Sequence, residues 1–145
     1  MMRLFFTKYL VIPLMMIGVM SIGYAQILIN RTQGNISFIA GGIGEDESTA
    51  MKLMSKKWPL SIEFSEYSDG KDLWIAQVYL RILDANGKTL FDTTIDGPMF
   101  LGRLPPGNYQ LLATYEGVTQ SRKIQIIDAK PLHVSMNWRL SKSRV

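Results

Sequence analysis

The chain has 145 residues, 47% of them hydrophobic and 19% charged, with a formal net charge of +4, one histidine and no cysteine. That length fits one domain with a short extra segment and excludes a large multidomain enzyme. Lack of cysteine excludes a disulfide scaffold, a thiol nucleophile, a thiolate zinc site and a lipid-modified cysteine, and a lone histidine excludes a multi-histidine metal site within one chain.

Residues 1–25 read as a secretory signal peptide. Arg3 and Lys8 give a positive start, residues 10–23 an apolar run, and Gly23-Tyr24-Ala25 the small residues a signal peptidase reads before Gln26. The alternative is an uncleaved membrane anchor through residues 4–25. The uninterrupted run is shorter than the about 20 apolar residues a bilayer span needs, which favours cleavage and export. Cleavage would remove two of the 16 basic residues and none of the 12 acidic ones, leaving +2. So small a charge gives no reason to expect nucleic acid as a partner.

Residues 26–46 read as a loose lead-in and a glycine-rich loop, with an edge strand near residues 36–39. Asn30-Arg31-Thr32 and Asn35-Ile36-Ser37 match the N-glycosylation triplet, a pattern common by chance. Gly41-Gly42-Ile43-Gly44-Glu45-Asp46-Glu47 then sets three glycines before three acids. The glycines mark irregular backbone. The acids sit where a helix start favours negative charge, and Lys52, Lys56 and Lys57 lie toward its other end. The spacing predicts one helix over residues 47–57, reaching Trp58, with Asp46 as its N-cap and Pro59 as its stop. Its inward face is expected from Ala50, Leu53, Met54 and Lys57, extended by Met51 and Trp58.

From Pro59 the apolar period becomes two. Leu60, Ile62 and Phe64 alternate with Ser61, Glu63 and Ser65, and residues 67–71 form a turn. Ala76, Val78, Leu80 and Ile82 alternate with Gln77, Tyr79, Arg81 and Leu83. Asp84-Ala85-Asn86-Gly87 is a hairpin signal, with a return strand over residues 88–94. Asp96-Gly97-Pro98 turns the chain into a short strand over residues 99–104, and Pro105-Pro106-Gly107-Asn108 turns it again. Tyr109, Leu111, Ala113 and Tyr115 face one way; Ile124 and Ile126, then Leu132, Val134, Met136 and Trp138, mark the last strands. Residues 140–145 read as a basic tail. About seven short strands divided by turns are the pattern of a mainly β sandwich over residues 59–139. The helix is expected to cap one end or lie across a sheet edge.

Residues 78–126 resemble the carboxypeptidase regulatory-like family, related in shape to transthyretin and other Ig-like antiparallel sandwiches. Val78 to Lys88, Thr94-Ile95-Asp96-Gly97-Pro98, and Leu101-Gly102-Arg103-Leu104-Pro105-Pro106-Gly107-Asn108-Tyr109 carry the likeness. They match its strand, its D-x-x-G turn, its T-x-D-G turn and its L-P-x-G-x-Y entry to the next strand. The glycines permit the turns, the prolines stiffen the approach, and Tyr109 can anchor its strand in the core. The whole chain after residue 25 is also similar to small bacterial periplasmic proteins with a Gly-Gly-x-Gly-x-Asp-Glu segment, then this sandwich and a tryptophan near the end. Gly41 to Glu47, Asp96 to Tyr109 and Trp138 carry that match. The resemblance implies a periplasmic or secreted accessory domain without catalysis, or an inner-membrane-anchored one if the signal stays. It assigns no activity.

The chemical candidates are few. His133 alternates with Leu132 and Val134 and is expected to face solvent. There is no nucleophile elbow, and no local signature of a Ser-His-Asp triad. The glycine loop is not a phosphate cradle, because three acids follow it and no lysine-serine pair does. Glu45, Asp46 and Glu47 lack the spacing of a calcium loop and are better explained by helix capping. Trp58, Trp74 and Trp138 could stack on sugars, but core packing is the better reading for at least two of them. No catalytic, cofactor-binding or metal-binding residue is expected. Gly41, Gly42, Gly44, Glu45, Asp46 and Glu47 are the candidate docking segment for a partner, with a structural hinge as the preferred reading. The expected function is a non-catalytic module for a protein or envelope partner. The alternatives are a carbohydrate- or small-ligand-binding domain and, more weakly, a hydrolase using a carboxylate pair.

Overall fold

In the computed structural model, which describes residues 28–140, the alternation beginning at Leu60 becomes the central strand of one of two sheets. The expected signal segment and the tail from residue 141 onward lie outside the described residues. The larger sheet is ordered β1 (Arg31–Gln33), β2 (Ile36–Gly41), β7 (Met99–Gly102), β3 (Leu60–Ser68), β10 (Leu132–Trp138), with β4 (Lys71–Trp74) also paired to β3. The smaller sheet is ordered β6 (Thr89–Ile95), β5 (Val78–Asp84), β8 (Gly107–Tyr115), β9 (Val118–Ile126). Of the described residues 59% are in strands and 10% in helix, so the class is mainly β, arranged as a sandwich.

Apolar side chains of both sheets meet in one core. Leu60, Ile62, Phe64 and Phe100 from the larger sheet pack against Leu80, Ile82, Phe91 and Leu111 from the smaller. Phe38, Phe91 and Phe100 form an aromatic group, with Phe38 and Phe91 edge-to-face at 4.9 Å. Leu80, Leu111, Val134 and Trp138 are buried, as the alternation requires, while Gln77 and Lys123 are exposed. Leu83 departs from the pattern. It is buried rather than solvent-facing, and the β5–β6 register shifts between Ile82 and Leu83.

Among the described residues ten strands replace the expected seven. Gln33 is the half-buried residue of β1, and β4 is exposed throughout, so neither short strand carries an alternation to read. The turn expected over residues 67–71 is narrower, and β4 follows it. The lead-in is not loose: β1 and β2 are strands of the larger sheet. The sandwich is also not wholly antiparallel, since β10 runs parallel to β3 from Leu132↔Leu60 to Trp138↔Glu66. The chain crosses from β9 in one sheet and enters β10 at the end where β3 begins, where the Leu132 N–H donates to Pro59 O at 2.9 Å.

The helix, α1 (Glu45–Ser55), lies two residues earlier than the spacing predicts. Its N-cap is Gly44, at φ 87, with no side-chain cap; Asp46 is inside the first turn. It neither caps an end nor covers an edge. It packs on the outer face of the larger sheet, where Met51 meets Ile39, Met99, Leu101 and Trp58. That apolar strip is narrow, so the helix buries Ser48 and Met51 while Leu53 stays 61% exposed and Lys57 faces solvent.

The seams between the sheets are closed by side chains. Gln33 of β1 accepts from the Asp92 N–H at 2.7 Å and donates to Asp92 O at 3.1 Å, imitating a strand partner for β6. On the opposite seam Gln120 donates to Asn137 O at 2.6 Å and Arg122 to Ser135 O at 3.3 Å, occupying outward carbonyls of β10. Such plugs deny edge groups to another chain.

Candidate functional site

The glycine-rich segment is locked into the fold. Its backbone crosses the turn before β7 so closely that a Cβ on Gly97 would lie 2.2 Å from Gly41 O. The Glu47 carboxylate turns back from α1 and accepts the Gly42 N–H at 2.8 Å. Gly41 and Gly42 are buried and Glu47 is half-buried; Gly44, Glu45 and Asp46 are exposed. The predicted docking residues are thus brought together, but three of the six are inward, holding β2, α1 and β7 in place.

A different surface collects the chemistry. On the outer face of the larger sheet, beside α1, the parallel β3–β10 pairing sets Ser61 next to His133. Ser61 Oγ lies 2.9 Å from His133 Nδ1, and His133 Nε2 lies 3.9 Å from Glu63 Oε2. Trp74 Nε1 donates to Glu63 Oε1 at 2.6 Å, and Lys52 of α1 stands over the Trp74 ring at 4.7 Å. Asn137 donates to Ser65 at 2.9 Å and to Asp72 at 3.0 Å, and Arg139 stands over the Tyr67 ring at 4.7 Å. Trp74 and Tyr67 remain 43% and 40% exposed. Trp58 and Trp138 are buried, so the tryptophans divide as the core reading requires.

Ser61, His133 and Glu63 have the composition of a hydrolytic triad and lack its geometry. Ser61 is only 2% exposed, and β3 is paired on both sides there, to Leu101 and to His133. Its backbone is committed to the sheet, whereas acyl transfer needs an open hydroxyl and free N–H donors aimed at an oxyanion. Ser61 is instead bonded to His133, and Glu63 holds the exposed Trp74. The members of the trio come from residues 61, 63 and 133, and only the unforeseen parallel pairing joins them. The cheap signal was the sequence of small and polar residues on the non-core phase of both strands.

Two tyrosines are tied down elsewhere in the sandwich. Tyr109 donates to Pro105 O at 2.7 Å, and burial, then the Asp84 carboxylate, raise its pKa above the usual 10.0. Tyr115 packs edge-on to Trp138 and donates to Glu66 at 3.3 Å; burial, then Glu66, raise its pKa too. Both phenols are held as neutral donors. Among the described residues no group of three acidic or histidine side chains could hold a metal ion, and no helix is long and apolar enough to cross a membrane. No protein-family model and no curated protein matches the chain.

Proposed function

We propose that the chain is an exported, non-catalytic β-sandwich module that binds a protein partner of the bacterial envelope through the open half of its outer face. The observation that carries this reading is the pair Trp74 and Tyr67, exposed on one hairpin and each backed by a cation, Lys52 and Arg139. Tryptophan, tyrosine and arginine are the side chains that dominate protein interfaces, because they bury large area at small entropic cost. The closed Ser61 supports a role without catalysis. Export rests on Arg3, Lys8 and Gly23-Tyr24-Ala25, and the family resemblance over residues 78–126 supports an accessory role.

The test is capture of copurifying partners from intact cells by the native protein and by Trp74→Ala and Tyr67→Ala. Loss of one specific partner in both variants, with thermal unfolding unchanged, supports the reading. Equal capture by all three excludes that face. A carbohydrate-binding reading draws on the same aromatics, with Asn137 and Asp72 alongside. Lys52 and Arg139 work against it, since each already occupies a ring face on which a sugar would stack, whereas a protein partner can pair acidic groups with them. Soluble oligosaccharides that quench tryptophan fluorescence in the native protein but not in Trp74→Phe would favour it.

A further inference from the structure

At the end of the sandwich where α1 runs out, Lys56, Lys57, Pro59, Arg103, Leu104, Pro106 and residues 126–131 border a half-open pocket of about 340 Å3, in the size range of small-molecule sites. Lys56, Lys57, Arg103 and Lys130 line it against one acid, Asp128. Among the described residues none of these four cations has an ion-pair partner. Lys56 and Lys57 follow the helix C-terminus, whose dipole accounts for them. Arg103 follows β7 and Lys130 follows β9, so the dipole explains neither.

The Arg103 side chain and the Lys130 backbone are held in place. The Arg103 guanidinium lies 4.2 Å from the centroid of the buried Trp58 ring, a stack that steadies its planar fork. Lys130 closes a tight turn by donating its N–H to Ile127 O at 3.2 Å, with Ala129 at φ 58, a backbone region that costs a residue bearing a Cβ. Leu104, Ile126 and Ile127 give the cavity an apolar wall. Convergent cations beside an apolar surface match a ligand with a multiply charged head and an apolar body. A phosphate fits better than a lone carboxylate, which one arginine would satisfy.

We propose that this cavity binds a phosphate-bearing ligand with an apolar portion, at a site separate from the Trp74 face. The probe is phenyl phosphate, followed through the backbone amide signals of the protein by NMR. The expected result is saturable shifts at Arg103, Leu104 and residues 127–130, weaker ones with inorganic phosphate and none with phenol. Lys57→Gln/Lys130→Gln should weaken binding by about tenfold or more, the loss of a charge-assisted contact. Arg103→Lys, which keeps the charge and loses the fork, should weaken it too, and Lys71→Gln on β4 should leave it unchanged. Sedimentation with phosphatidylglycerol vesicles but not phosphatidylcholine vesicles would assign the phosphate to a lipid headgroup. Binding of the soluble ester without vesicle binding would assign it to a soluble phosphate ester. Shifts scattered over all exposed lysines, no saturable shift at residues 103–104 and 127–130, or equal affinity in Lys57→Gln/Lys130→Gln would overturn the proposal.

Discussion

Tyr109 shows how one side chain fixes a loop. Its ring enters the core at the start of β8, and its hydroxyl donates to Pro105 O across the turn that leads in. Tyr109→Phe should cost about 1 kcal/mol by denaturant unfolding, the usual worth of such a bond. The pH dependence follows from the direction of the shift. Because folding raises its pKa, Tyr109 contributes its full stability below the ordinary value of 10.0 and loses it as pH rises through the raised value. Alkaline unfolding should therefore start above about pH 10, and less steeply in Tyr109→Phe. Gly97 is fixed by contact rather than by a turn. A Cβ there meets Gly41 O, which is backbone and cannot swing aside, so Gly97→Ala should cost about 1–3 kcal/mol or more. A thermal midpoint equal to wild type would show that the two segments do not cross so closely.

At the scale of the element, α1 separates two kinds of acid. Glu47 bonds the Gly42 N–H, whereas Glu45 and Asp46 face solvent in the first turn. Glu47→Ala should destabilise more than Glu45→Gln or Asp46→Asn, which should each cost only about 0.3–1 kcal/mol through the helix dipole. Met51→Ala should cost about 2–5 kcal/mol, because the side chain is fully buried between helix and sheet. Leu53→Ala should change little, and a large loss there would mean the helix is turned the other way. The helix was legible from its acids, lysines and Pro59. Its orientation was not, because Leu53 fits the helical period as well as Met51 does, and only the small apolar strip of Ile39, Met99 and Leu101 decides between them. The cap is not legible for a similar reason: Asp46 is a good capping residue, but the chain enters the helix at Gly44, just after Gly42 bonds the Glu47 carboxylate.

For the whole molecule, the two-layer plan was legible in the alternation of Leu60 to Phe64, Val78 to Ile82 and Leu132 to Trp138, since each strand buries one side. The pairing was hidden. Nothing local tells Leu132 to run parallel beside Leu60, so the face that joins Ser61, Glu63, His133 and Asn137 could not be assembled from sequence. Gly41 to Glu47 stands out in the sequence, and its buried glycines and the Glu47 bond pack β2, α1 and β7 together. The central claim is that the Trp74 face meets a protein partner. It is tested most directly by placing a photo-crosslinking residue at position 74, 137 or 94 and irradiating intact cells. The account predicts one defined protein adduct from positions 74 and 137, both on the open face, and none from position 94, on β6 of the opposite sheet. Adducts from position 94 alone, or the same adducts from all three, would contradict it.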